Sequence, residues 1–184
     1  MAAGNISGFV TYSADFLRTF DGGNHWYHND PFKFPNANGF TAMNSLAPDS
    51  VFMFTNFYNR FLEGDSSQLI FLYNFRLRTL DSSVVFKTAI VIKSFPDIIR
   101  DCKFFTSGIA YAAGDKGVIY ASKDRGKTWK PDYKNTTGLH ALFMLNERRG
   151  YAVGNKGLIL KRNSPDPRYL QKMQNKFPVI SSEQ

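Results

Sequence analysis

The stretch "AGDKGVIYASKDRGKTW", residues 113–129, is echoed forty positions later by "VGNKGLILKRN", residues 153–163. Tyr111-Ala112-Ala113-Gly114-Asp115-Lys116-Gly117-Val118-Ile119 aligns without a gap on Tyr151-Ala152-Val153-Gly154-Asn155-Lys156-Gly157-Leu158-Ile159. Self-similarity at a fixed spacing marks a repeat architecture. Both copies alternate with period two and are rich in β-branched and aromatic residues, which favours strands over helices. Upstream of each lies another apolar segment, "CKFFTSG" and "LFMLNERRG". Each unit therefore reads strand, short turn, strand, Gly-x-x-Gly turn, strand. Asp115-Lys116 and Asn155-Lys156 suit two-residue hairpins, because Asp, Asn and Gly tolerate positive φ.

A second pattern follows the first copy. Ser122-Lys123-Asp124-Arg125-Gly126-Lys127-Thr128-Trp129 fits Ser/Thr-x-Asp-x-Gly-x-x-Trp, and so does Thr19–Trp26, with Asp21 and Gly23 in place. A worn copy runs from Thr79 through Asp81 to Phe86, with Ser83 where the glycine would stand. After residue 163 the pattern is lost in "RNSPDPRY". Intervals of about 60, 43 and 40 residues separate the units. The polar stretch "NRFLEGDSSQ", residues 59–68, reads as an extended hairpin loop that lengthens the first interval. A period near 40–45 with several short strands per unit is that of a propeller blade. Residues 2–10 align on 112–119 with one insertion, so the first unit starts in mid-blade.

The Ser/Thr-x-Asp-x-Gly-x-x-Trp pattern resembles the Asp-box, or BNR repeat, of sialidases, sortilin-type receptors and other β-propellers. "GYAVGNKGLIL" together with "YAAGDKGVIYASKDRGKTW" resembles the photosystem II assembly-factor type of BNR repeat. The likeness is strong over residues 104–163, fair over 1–30 and weak over 40–100. It implies an all-β fold of four-stranded antiparallel blades, about three to four of them, over residues 1–163, either a small four-bladed ring closed by its two ends or an incomplete set from a larger propeller. It implies no activity by itself, because the fold hosts hydrolases, receptors and assembly chaperones. In the family the box is structural, and the chemistry agrees. An Asp in a turn accepts backbone N–H groups, Gly permits otherwise forbidden angles, and Trp packs between sheets. That role falls to Thr19, Asp21, Gly23, Trp26, Thr79, Asp81, Ser122, Asp124, Gly126 and Trp129.

The rest of the chain bounds the function. Its 184 residues suffice for a real core. The net charge of +8 favours an acidic partner, and the even spread of Lys and Arg argues against nucleic acid. The single cysteine, Cys102, excludes an intramolecular disulfide and a thiolate metal cluster. It fits a reducing compartment without excluding export. No apolar run reaches the ~18 residues of a membrane span. "MAAGNISGFV" lacks the layout of a signal peptide, so an exported or organellar location requires a removed leader.

A sialidase-like enzyme would need an arginine cluster and a Tyr–Glu pair, for which Arg18, Arg60, Arg78, Arg100, Tyr58 and Glu63 are the candidates. Only three Glu occur, and no close acidic pair is visible, so no catalytic residue is assigned. His25 and His28 in "HWYH", followed by Asp30, invite a metal reading, but residues three apart on a strand face opposite ways. No metal and no cofactor are expected.

The expected function is a non-catalytic scaffold that binds another protein, and the alternative is a carbohydrate-binding or glycoside-hydrolase fragment. The expected contact is a basic loop face of Lys116, Lys156, Lys123, Arg125, Lys127, Arg148 and Arg149, since repeats bring equivalent turns side by side. Incomplete arrays expose a blade face, so self-association or pairing with missing blades is also expected. Residues 164–184 form a separate tail. Pro165 and Pro167 break the strand pattern, and Tyr169, Leu170, Met173 and Phe177 stand at helical spacing for a short capping helix.

Overall fold

The structure, a computed structural model, describes residues 8–12, 15–19, 21–28, 37–47, 50–59, 64–73, 76–77, 84–85 and 88–163. The capping helix expected of the tail and the worn box at Thr79 and Asp81 lie outside them.

The chain is an array of antiparallel propeller blades. The first sheet holds β1 (Gly8–Tyr12), β2 (Asp15–Thr19) and β3 (Tyr27–His28), paired in that order. The second holds β4 (Ala37–Ala47), β5 (Ser50–Asn59), β6 (Gly64–Tyr73) and β9 (Thr88–Phe95). A ribbon of β7 (Arg76–Leu77) and β8 (Val84–Val85) is inserted between its last two strands. The third comprises β10 (Ile99–Phe104), β11 (Ala110–Gly114), β12 (Val118–Ser122) and β13 (Lys130–Lys134). The fourth comprises β14 (Leu139–Asn146), β15 (Arg149–Gly154) and β16 (Ile159–Asn163). The two full boxes each join the strand that their Thr or Ser closes to the edge strand that follows, Thr19–Trp26 between β2 and β3 and Ser122–Trp129 between β12 and β13.

That placement corrects the alignment of the first unit. Thr19 closes β2 as Ser122 closes β12, so β1 takes the place of β11, one strand earlier than the glycine pattern of residues 2–10 suggests. The long first interval also has another cause. β5 and β6 pair from Ser50↔Tyr73 to Asn59↔Gly64, so the polar residues from Gly64 onward are strand, not loop. Ser67 is buried there, and its Oγ accepts the Ile99 N–H at 3.0 Å, tying the second blade to the third. Length comes from strands of 11, 10 and 10 residues.

The two glycine turns are longer than two-residue hairpins, since three residues separate β11 from β12 and four separate β15 from β16. In the first, the Gly117 N–H bonds the Gly114 carbonyl at 3.1 Å, and Gly117 supplies a φ of +79°. The second opens further into a 3-10 turn, Asn155–Gly157, with Lys156 itself at φ +57°. Pro131, which cannot donate to a ladder, lies in β13 at the sheet edge, where no partner is needed.

The main core lies between the second and third blades. Phe52 stacks on Phe104 at 4.0 Å with rings 7° from parallel. Phe54, Leu69, Phe95, Ile99, Cys102 and the small Ala110 and Ala112 complete it. Burial raises the Cys102 thiol above its ordinary range, which leaves it an inert core residue. The core between the third and fourth blades is thinner, with Ala113, Leu139 and Ala152 at its centre. Polar links reinforce both junctions: Asn44 Oδ1 accepts the Phe104 N–H at 2.8 Å, and Asp101 Oδ2 accepts the Leu142 N–H at 2.7 Å.

Candidate protein-binding surface

Two boxes are built bond for bond alike. In the third blade the Ser122 hydroxyl donates to Asp124 Oδ1 at 2.8 Å and accepts the N–H groups of Asp124 and Gly126 at 3.3 and 2.9 Å. Asp124 then accepts the Thr128 N–H at 2.9 Å and the Thr128 hydroxyl at 2.5 Å. In the first blade Thr19 donates to Asp21 Oδ1 at 2.8 Å and accepts from Asp21 and Gly23 at 3.3 and 2.8 Å. Asp21 accepts the His25 N–H at 3.0 Å, and His25 Nδ1 lies 2.6 Å from Asp21 Oδ2. Both carboxylates are thereby consumed by the loop. The hydroxyl and amide of Thr128, with Ser122, pull Asp124 down to about 2, and the His25 bonds hold Asp21 well below the usual carboxylate range.

The tryptophans differ. Trp129 donates Nε1–H to the Gly126 carbonyl at 2.7 Å and meets Phe54, Phe95 and Phe104 edge-on at 5.5 to 6.3 Å. Trp26, at the same place in the first box, is exposed. Gly126 has a φ of +83°, and a Cβ there would stand 3.0 Å from the Phe104 ring.

Strand alternation distributes the seven basic candidates over two ends of the array. The Asp115 N–H bonds the Ile98 carbonyl, Asn135 bonds Gly117, and Asn155 bonds Gly138, which gathers the turns carrying Lys116 and Lys156 at one end. Equivalent turns do lie side by side there, as the repeat spacing requires. This end is mixed in charge. Lys116 Nζ donates to the Pro96 carbonyl at 2.5 Å, Arg100 pairs with Asp115 at 2.7 Å, and Asp97 accepts the Lys116 N–H.

At the opposite end the box loop of the third blade is tied to the β10–β11 turn by the Arg125 N–H on the Gly108 carbonyl at 2.8 Å. Lys123, Arg125 and Lys127 are exposed on that loop, and Arg148 and Arg149 stand at the β14–β15 turn of the same end. Two further cations extend it. Arg162 caps the Tyr111 ring at 4.7 Å and pairs with Asp132, and with Arg149 and Lys161 it lines a concavity of about 330 Å³. Lys161 and Arg162 belong to the basic cluster that the sequence shows in the last unit, and β16 carries them to the β14–β15 turn.

Of the residues weighed for glycosidase chemistry, Arg60, Arg78 and Glu63 lie outside the described residues, and Arg100 is engaged by Asp115. Among the described residues no group of three His, Cys, Asp or Glu side chains is placed to hold a metal ion, and no helix is long and apolar enough to cross a membrane. His140 Nε2 lies 2.6 Å from Asn155 Oδ1.

With the blades and boxes placed, comparison with known proteins becomes informative. Residues 76–163 match the family model described as photosynthesis system II assembly factor YCF48. Over those residues the repeats are similar to BNR-type propeller repeats of that assembly-factor kind. The structure of YCF48 from Cyanidioschyzon merolae superposes with a TM-score of 0.59 at 22% identity, covering 82% of this chain and 45% of that one. The chain therefore spans less than half the length of that relative. The computationally designed Ika4 protein superposes with a TM-score of 0.54 at 9% identity, over 85% of this chain and 86% of that one. These likenesses establish the blade fold. A structure of YCF48 bound to D1 peptide matches at a TM-score of 0.40 and 16% identity, over 89% of this chain and 62% of that one. No curated protein matches the chain at a significant level.

Proposed function

We propose that this chain is a non-catalytic scaffold that binds another protein through the box-loop end of its third and fourth blades. The observation that carries the reading is an imbalance of charge at that end. Lys123, Arg125, Lys127 and Arg149 are exposed there, while the nearby Asp124 carboxylate is spent on its own loop and Asp132 on Arg162. Cations without equal numbers of available carboxylates attract an acidic surface and speed its approach. Lys116 and Lys156, at the mixed opposite end, are assigned a lesser part. The family model supports the same reading, since its description is that of an assembly factor.

Cross-linking mass spectrometry in extract of the source organism tests the reading. Lysine cross-links to a partner are expected at Lys123, Lys127 and Lys130. The reversal Lys123→Glu/Arg125→Glu/Lys127→Glu should weaken capture of that partner at least tenfold, and Lys116→Glu/Lys156→Glu should leave it within twofold. The opposite ranking would overturn the assignment of the face.

A further inference from the structure

Blade–blade packing uses the same positions in every unit, so the repeat identifies exposed side chains that form half of an interface. Tyr111 and Ala113 lie on the face of the third sheet that meets the fourth, and they are 4% and 0% exposed. Forty positions on, Tyr151 and Val153 hold the same places in the fourth sheet and are 39% and 41% exposed. Ile159, the counterpart of half-buried Ile119, is 69% exposed. Register joins them into one patch, with Phe143 opposite Tyr151 and Val153 opposite Ile159. The last sheet thus ends in an apolar face of the kind that receives a following blade, and a contiguous bare patch of this sort marks an interaction surface.

The complementary half stands at the other end of the array. Trp129 fills the space against the preceding sheet, on Phe54 and Phe95. Trp26 holds the same position in the first box and is 43% exposed, with no sheet preceding it among the described residues. Nor do the first and fourth sheets pair with each other among those residues. One face is the leading side of a blade and the other the trailing side, the two surfaces that meet at every junction inside the array.

We infer that two copies of this chain join head to tail, the fourth sheet of each packing on the first sheet of the other. The product is a closed ring of about eight blades, within the range that propellers adopt. A heterologous contact of this kind forms a ring when its rotation closes, here after two identical junctions. The basic loop end plays no part in the inference.

Light scattering on the size-separated chain tests it. The wild type should run at twice its 20.9 kDa chain mass. Ile159→Lys and Trp26→Lys should each give single chains, because each change spoils both junctions of the ring. Mixing the two variants should restore a two-chain species, since one junction then joins two unaltered faces. A wild type of single-chain mass overturns the inference, including the case in which removal of residues 164–184 makes it associate, which would assign the patch to the chain's own tail. A Trp26→Lys variant that stays paired overturns it as well, because pairing would then be between two fourth sheets.

Discussion

Asp101 on β10 holds Leu142 on β14: its Oδ2 accepts the Leu142 N–H at 2.7 Å while its Oδ1 accepts the Cys102 N–H at 2.8 Å. One side chain therefore closes two ladders at the junction with the thinner core. Asp101→Ala should cost about 1–3 kcal/mol, the cost of stranding a buried N–H. Asp101→Asn retains an acceptor and should lose less. Urea denaturation of both variants checks the ranking.

The box makes a second prediction. Ser122 is buried, and its hydroxyl serves three groups of the loop. Ser122→Ala should destabilise by about 1–3 kcal/mol through the stranded Gly126 N–H. Trp129→Ala should cost about 3 kcal/mol, because it opens a cavity among three phenylalanine rings. Trp26→Ala in the isolated chain should cost much less. Thermal unfolding of the matched tryptophan pair reads the difference directly.

Acid stability should show two opposed contributions. Asp124 and Asp21 have folded pKa values below the ordinary 3.8, so their contribution is present above about pH 4 and is lost as pH falls toward 2 and below. Burial raises Asp97 and Asp101 instead, so their contribution is present below pH 3.8 and is lost as pH rises through their folded values. Asp124→Asn should flatten the acid limb of a stability profile. Asp97→Asn should flatten the slope above about pH 4.

Gly114 faces Asp97 so closely that a Cβ would stand 2.0 Å from its Oδ2. Gly114→Ala should force the buried carboxylate from the amide of Lys116 and lower the melting temperature. Gly157 provides the control, since nothing lies within 4 Å of a Cβ there and only its φ of +73° resists substitution. Gly157→Ala should therefore be the milder change.

Blade identity is legible wherever the repeat keeps its spacing. Tyr111 and Tyr151 announce equivalent strands, and Ser122–Trp129 announces the loop that follows. The second blade was harder to read, because strands of ten and eleven residues replace the usual short ones and Ser66 and Ser67 look like loop chemistry. Ser67 is polar for a reason only the fold reveals, an amide of the next blade in need of an acceptor. Of the basic candidates, Lys116, Lys123, Arg125, Lys127, Arg148 and Lys156 lie in turns and Arg149 opens β15, and their division between ends depends on the parity of strands, which a list of turns does not carry. Asn44 and Asp101 left no signal at all, since each partners an amide 60 or 41 positions away.

The inequality of the two inner junctions gives the array a weak seam. Aromatic rings lock the second blade to the third, whereas small alanine and leucine contacts, the Asp101 and Asp132 carboxylates and Arg162 on Tyr111 join the third to the fourth. Under a pulling force applied at Asn163, the fourth sheet should peel away as a unit before the Phe52–Phe104 stack yields. The protein would then extend in steps, its outermost blade acting as a mechanical fuse for the rest.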